Sequence, residues 1–210
     1  MQFNELMGQQ DSNHRHELST AHNYFLTGEV KNDDNTRSLI RTLKFCSPND
    51  VVNIYLNTEG GDMYTTMQVI NSMRACAGRV ATHADGCVAS AGGLIFFAGD
   101  ILSVSDLSTF LVHVGSMITG GKTSDVHSST DHNRALIHKI FHSVYEPFFS
   151  SEEIDKVLSG VDIHLGSEQV IGRIDKVCNT EKESSNEDIP KPEPKPTKPK
   201  RVRKPKAAGQ

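Results

Sequence analysis

Twice between residues 51 and 97 the chain leaves a β-branched or apolar run, crosses a turn of very small residues and enters a segment of helical spacing. The first handover is VVNIYLN (51–57), then TEGGD, then MYTTMQVINSMRAC (63–76). The second runs from a short apolar strand at 79–84 through DGCVASAGG into LIFF, with Ser90 at the mouth of the helix. Short strands alternating with helices cannot pair as hairpins. They require crossover connections and a mainly parallel sheet. The predicted class is therefore α/β.

The remaining segments extend this pattern. NYFLTGEV (23–30) predicts a strand ending in a turn, and NTRSLIRTLKFC (35–46) a helix. In 63–76 the spacing of Met63, Met67, Ile70 and Met73 predicts an amphipathic helix. ILSVS and TFLVHV predict strands, and a long helix follows, ended near Pro147. Ser150 and Glu153 have capping-box spacing at the start of SSEEIDKVL. Residues 1–21 are expected to form a flexible arm, 22–180 the folded domain, and 181–210 a disordered basic tail.

Charge separates that tail from the body. Residues 191–210 carry eight Lys or Arg and one Glu, leaving 14 basic and 25 acidic residues in the rest. Six of the eight prolines fall at 190–205. Proline favours extended conformers and like charges repel, so the segment has little means of packing. A solvated tail is the simpler reading. Contact with nucleic acid or an acidic partner is the sharper one, weakened by the lack of interleaved aromatics. No run of eighteen apolar residues marks a membrane span. Cys46, Cys76, Cys87 and Cys178 lack metal-ligand spacing, and no export signal is visible, so reduced thiols and a cytoplasmic location are expected.

The two small-residue turns also raise a chemical possibility. Helix N-termini present free N–H groups with partial positive charge. The N–H of Gly60 or Gly61 on one side and of Ala91 on the other could hold a developing oxyanion, each donor supplying roughly 3–4 kcal/mol in acyl transfer. Two tight turns would also explain the glycines. A serine at the second turn moves the balance towards a site. His113, ending TFLVHV, is the best-placed base. Asp162 in GVDIHLG is a plausible carboxylate to orient it, with Asp106, Asp125 and Asp175 as competitors.

At these residues the chain resembles a known family. YFLTGEV, IYLNTEGGDMY, DGCVASAGGLIFFAGD, FLVHV followed by GGKTSD, and VDIHLGSEQVIGRID come in the order and near the spacing of the Clp protease family (ClpP, peptidase family S14), over about residues 22–178. The resemblance is to a divergent member, with phage-type enzymes in view. It implies the ClpP/crotonase fold of stacked ββα units with a protruding handle helix. It also implies a serine endopeptidase whose nucleophile, base and orienting carboxylate match Ser90, His113 and Asp162. The oxyanion donors match the glycine pair, Gly61 above all, with the Ala91 N–H. No cofactor or metal is implied. Further implications are heptameric rings stacked around a chamber, peptide or unfolded-protein substrates, and an AAA+ unfoldase such as ClpX or ClpA.

Several departures stand beside the likeness. Thr58-Glu59 replaces the family's Ser-Pro, Ala91 its usual Met, and Val114-Gly115 its Gln-Pro. The segment after Asp162 is about two residues short, and the polar arm bears little likeness to the family's axial loops. The segment 122–149 matches the ring-joining handle, with Ala135, Leu136, Ile140, Phe141, Val144 and Phe148 as its packing positions, although an ordinary core helix has the same pattern. GSMITGGKTS is not a phosphate loop, because Ser116 stands where the first glycine belongs. Val88 breaks the G-x-S-x-G elbow. His138 and His142 are spaced as a metal pair, but no third ligand is evident, so an exposed helical face is expected. Alternatives to the peptidase are an acyl-CoA enzyme of the crotonase kind, a catalytically silent scaffold subunit, and a phage capsid-maturation protease.

Overall fold

The computed structural model describes residues 19–116 and 120–187. The basic tail, most of the expected N-terminal arm and part of the phosphate-loop lookalike lie outside the described residues.

Six strands and six helices are seen among the described residues. In chain order they begin with β1 (Ala21–Val30), α1 (Asp34–Phe45), β2 (Val51–Gly61), α2 (Met63–Arg74), β3 (Arg79–Ala89) and α3 (Ala91–Phe97). Then come β4 (Ile101–Val104), β5 (Thr109–Val112), α4 (Thr123–Tyr145), α5 (Ser151–Leu158), β6 (Ile163–Gly166) and α6 (Ser167–Glu187). The sheet order is β1-β2-β3-β5-β6, with β4 also on β3. All pairings are parallel except β5 with β6. The fold is the mixed α/β arrangement expected of the ClpP type.

Alternation in β2 explains its place at the heart of the core. Val52, Ile54 and Leu56 are fully buried, while Tyr55 on the opposite face stacks between Phe25 and His83 at 4.9 and 4.5 Å. The strand β3 forks. Its first half pairs β4 through Ala81–Ala84, and its second half pairs β5 through Cys87–Ala89. At the fork Asn57 replaces ladder bonds with its side chain, since Oδ1 accepts from the Cys87 N–H at 3.1 Å. Both strands therefore run further than the sequence pattern predicts, to Gly61 and Ala89, carrying the turn residues on the sheet itself.

Helix faces follow packing more than methionine spacing. In α2 the buried residues include Thr66, Val69, Ile70 and Met73, and Met63 and Met67 only edge the core. In α4 the C-terminal half is core: Ile140, Phe141, Val144 and Tyr145 are buried. Its N-terminal half, including Ala135, is largely exposed. Tyr145 lies among Phe97, Phe141 and Phe149, and burial pushes its hydroxyl pKa upward. The thiols of Cys46 and Cys76 meet at 2.8 Å, and burial, then the Cys46 thiol, pushes Cys76 up to about 12. All four cysteines are free thiols. Helix α6 continues past the expected boundary at 180 to Glu187. No helix among the described residues is long and apolar enough to cross a membrane.

The expected capping box is formed. Glu153 N–H donates to Ser150 Oγ at 3.2 Å, and Ser150 N–H donates to Glu153 Oε2 at 2.9 Å. The same carboxylate receives Arg173 of α6 at 2.6 Å. Arg173 also donates to the Phe148 carbonyl and lies 4.3 Å over the Phe149 ring. One acid thus joins the start of α5, the loop before it and α6. The Arg173 hydrogen bond, followed by the Ser150 contacts, lowers the Glu153 pKa from 4.5 to about 2. In that window the unfolded chain binds a proton that the folded chain does not, so stability falls as pH drops from 4.5 towards 2. The Glu153 side chain is 33% exposed, which screens the pair. Glu153→Gln is expected to cost about 1–2 kcal/mol at pH 7, with the difference closing near pH 2. Urea unfolding of both proteins across that range checks it; a pH-independent gap would refute the linkage.

Candidate active site

Ser90 stands between β3 and α3 with φ 54° and ψ −119°, and is the only non-glycine residue with positive φ among the described residues. Side chains disfavour this region by about 1–3 kcal/mol, so the surroundings must hold it there. Ser90 N–H donates to the Leu111 carbonyl at 2.8 Å, and the Ser90 carbonyl accepts from Gly93 at 3.0 Å. Small neighbours make room for this bend. A Cβ at Gly60 (φ +104°) would lie 2.6 Å from Ser90 Cβ and 3.1 Å from the Ala91 nitrogen. A Cβ at Gly61 (φ +157°) would strike the Val30 carbonyl, and one at Gly92 would meet Thr58 Cγ2 at 2.5 Å. The two glycine turns therefore interlock, which neither turn reveals by itself.

Thr58 organises the glycine pair. Its buried hydroxyl donates to the Gly28 carbonyl and accepts the Gly60 N–H at 3.0 Å. Gly60 thus has a partner for its N–H within its own turn. Asp62 then caps α2: its Oδ1 accepts from Thr65 N–H at 2.7 Å and from the Thr65 hydroxyl at 2.6 Å. Those bonds, the hydroxyl first, hold its carboxyl below the usual range.

Sheet register brings the other two expected site residues to the same end. In the antiparallel β5–β6 ladder Thr109 faces Gly166 and Val112 faces Ile163. His113 and Asp162 are the next residues beyond that last pair, just outside the ladder. The parallel β3–β5 ladder ends at Ala89 and Leu111, one residue before Ser90 and two before His113. Ser90, His113 and Asp162 therefore occupy adjoining strand ends. Among the described residues no hydrogen bond or ion pair joins the three. His113 is half-buried and Asp162 is exposed. Asp106, Asp125 and Asp175 do not share that register.

Ser90 opens into a cleft of about 280 Å³ whose wall includes Gly61, Asp62, Met63, Leu136 and Ile137. A groove of about 480 Å³ continues from it, sharing Gly115, Asn133 and Ile137 and passing Val114 and His138. The residues that replace the expected Gln-Pro, Val114 and Gly115, thus line this path.

The comparison with protein families gives a match to the Clp protease family over residues 7–178, more than half of the chain. The chain belongs to that family, and the family and the mixed α/β fold are those of a peptidase. A comparison with curated proteins finds no match.

Sequence reasoning could find Ser90 from its small neighbours, but not the strain at its backbone. Ser90→Gly removes the side chain that disfavours this conformation, at the cost of some unfolded-state entropy. A net gain of about 1 kcal/mol, or roughly 2–4 °C in Tm, is expected. Calorimetry of the variant beside wild type checks it; an unchanged or lower Tm would mean that the backbone at 90 is relaxed.

Proposed function

We propose that this chain is a serine endopeptidase with Ser90 as nucleophile, His113 as general base and Asp162 as the carboxylate that orients the imidazole. The observation that supports the reading is the register: the β5–β6 ladder ends with Val112 facing Ile163, so His113 and Asp162 are the next residues of two paired strands, beside the strand end that leads to Ser90. Ser90 Oγ attacks the peptide carbonyl carbon as His113 accepts its proton. The C–N bond then breaks, His113 protonates the leaving amine, and water hydrolyses the acyl ester by the reverse proton path. Gly61 and Ala91 N–H groups receive the oxyanion, while Gly60 shapes the turn and keeps its N–H on Thr58. The three side chains close into hydrogen-bonded contact when substrate fills the cleft, as free sites commonly do. The apolar wall of Met63, Leu136 and Ile137 favours an uncharged side chain there, and the ionised Asp62 disfavours an acidic one.

Family membership supports a ring assembly, and the exposed first half of α4 is the element we assign to joining two heptameric rings around a chamber. An AAA+ unfoldase would supply unfolded chains, and the basic tail would contact an acidic partner or nucleic acid.

Hydrolysis of a short fluorogenic peptide and labelling by a fluorophosphonate test the chemistry. Both are expected from wild type, and Ser90→Ala should lower kcat/KM by at least about 10³-fold and abolish labelling. Equal labelling of the variant would remove Ser90 from the role. A well-formed ring with no activity would favour a silent, scaffold-type subunit, a reading kept open by the unjoined triad.

A further inference from the structure

The sequence places His138 and His142 one helical turn apart on α4 without a third ligand. The fold supplies one. Asp155 of α5 comes alongside, and one ligand atom from each of the three lies within 4.8 Å of the others. The two imidazole rings stack at 4.3 Å. His142 Nε2 is 3.7 Å from Asp155 Oδ1, too far for a hydrogen bond. That nitrogen is buried and has no hydrogen-bond partner. On its other side, His142 Nδ1 lies 3.1 Å from Glu146 Oε1.

The proton arrangement follows from these contacts. The bond to Glu146 places a hydrogen on Nδ1, which leaves a lone pair on Nε2 facing a carboxylate oxygen. Two electron-rich atoms turned towards each other call for a proton or a metal cation between them. A proton on Nε2 would serve His142 and Asp155 alone, whereas one shared ion also engages His138. Ligand atoms bound at ~2.0–2.1 Å to a tetrahedral zinc stand about 3.3 Å apart, so small rotamer changes close this trio on an ion. The bond between Glu146 and the far nitrogen is the carboxylate–histidine support that metal-bound imidazoles commonly have. Two nitrogen ligands disfavour calcium and magnesium, which prefer oxygen shells, and suit zinc and its neighbours.

We propose that His138, His142 and Asp155 bind one divalent transition-metal ion of the zinc class. Glu146 positions His142, and a fourth coordination place is left for water. The ion ties α4 to α5. None of the three ligands is a residue of the proposed triad, and the proposal holds whether or not the peptidase reading does.

The test uses the untagged full chain, freed of metal by chelation and titrated calorimetrically with zinc. One equivalent is expected, with Tm raised by about 5–10 °C at a hundredfold excess over Kd. Cobalt(II) should give visible d–d absorption without a thiolate charge-transfer band. Asp155→Asn and His138→Gln change exposed side chains and should fold normally. Each should weaken zinc binding at least about tenfold. No saturable binding at micromolar zinc would overturn the site and make His142 an imidazolium between two carboxylates. Binding that survives both variants, or a thiolate band pointing to Cys46 and Cys76, would also overturn it.

Discussion

The structure depends on a close approach of three backbones where no Cβ can intervene. Gly61 lies against the end of β1 at Val30, and Gly60 lies against Ser90 and the start of α3. The Thr58 hydroxyl, joined to both Gly28 and Gly60, locks this contact from within. The ends of β1, β2 and β3 are thereby drawn together, and α3 can begin only where Gly92 clears Thr58. A side chain at either glycine would push β2 from β1 or from Ser90. The position of the hydroxyl is thus a consequence of how three parallel strands terminate.

Much of this arrangement is written locally. The alternation in VVNIYLN fixes which face of β2 is buried, and the glycine turns mark where strands give way to helices. Ser150 and Glu153 announce their capping box by spacing alone. Other features are products of long-range packing. The fork in β3 needs two partner strands that arrive later in the chain, so the run at 79–84 looks complete when read alone. Methionines in α2 satisfy helical spacing, yet the buried stripe is set by where α1 and α3 lie, and it passes through threonines. Arg173 becomes the partner of Glu153 only when α6 crosses α5.

The site divides in the same way. Ser90 and the glycines are legible because the chemistry and the tight turn ask for the same small residues. His113 could be singled out by its place at a strand end, and Asp162 only as one of several candidate aspartates, since any relation between them depends on an antiparallel pairing of segments about fifty residues apart. Asp155 gives no signal beside the histidines in the chain. It reaches them because α4 and α5 fold back on each other through the Pro147 bend.

The strained backbone at Ser90 has an evolutionary consequence. Folding alone favours glycine at this position, and on the proposed reading only chemistry favours serine. Where selection for cleavage lapses, drift at residue 90 runs downhill in free energy, towards a sturdier and inert subunit. A lineage that no longer needs the reaction would give it up at this residue without endangering its fold. Persistence of serine there is accordingly a mark of continued use.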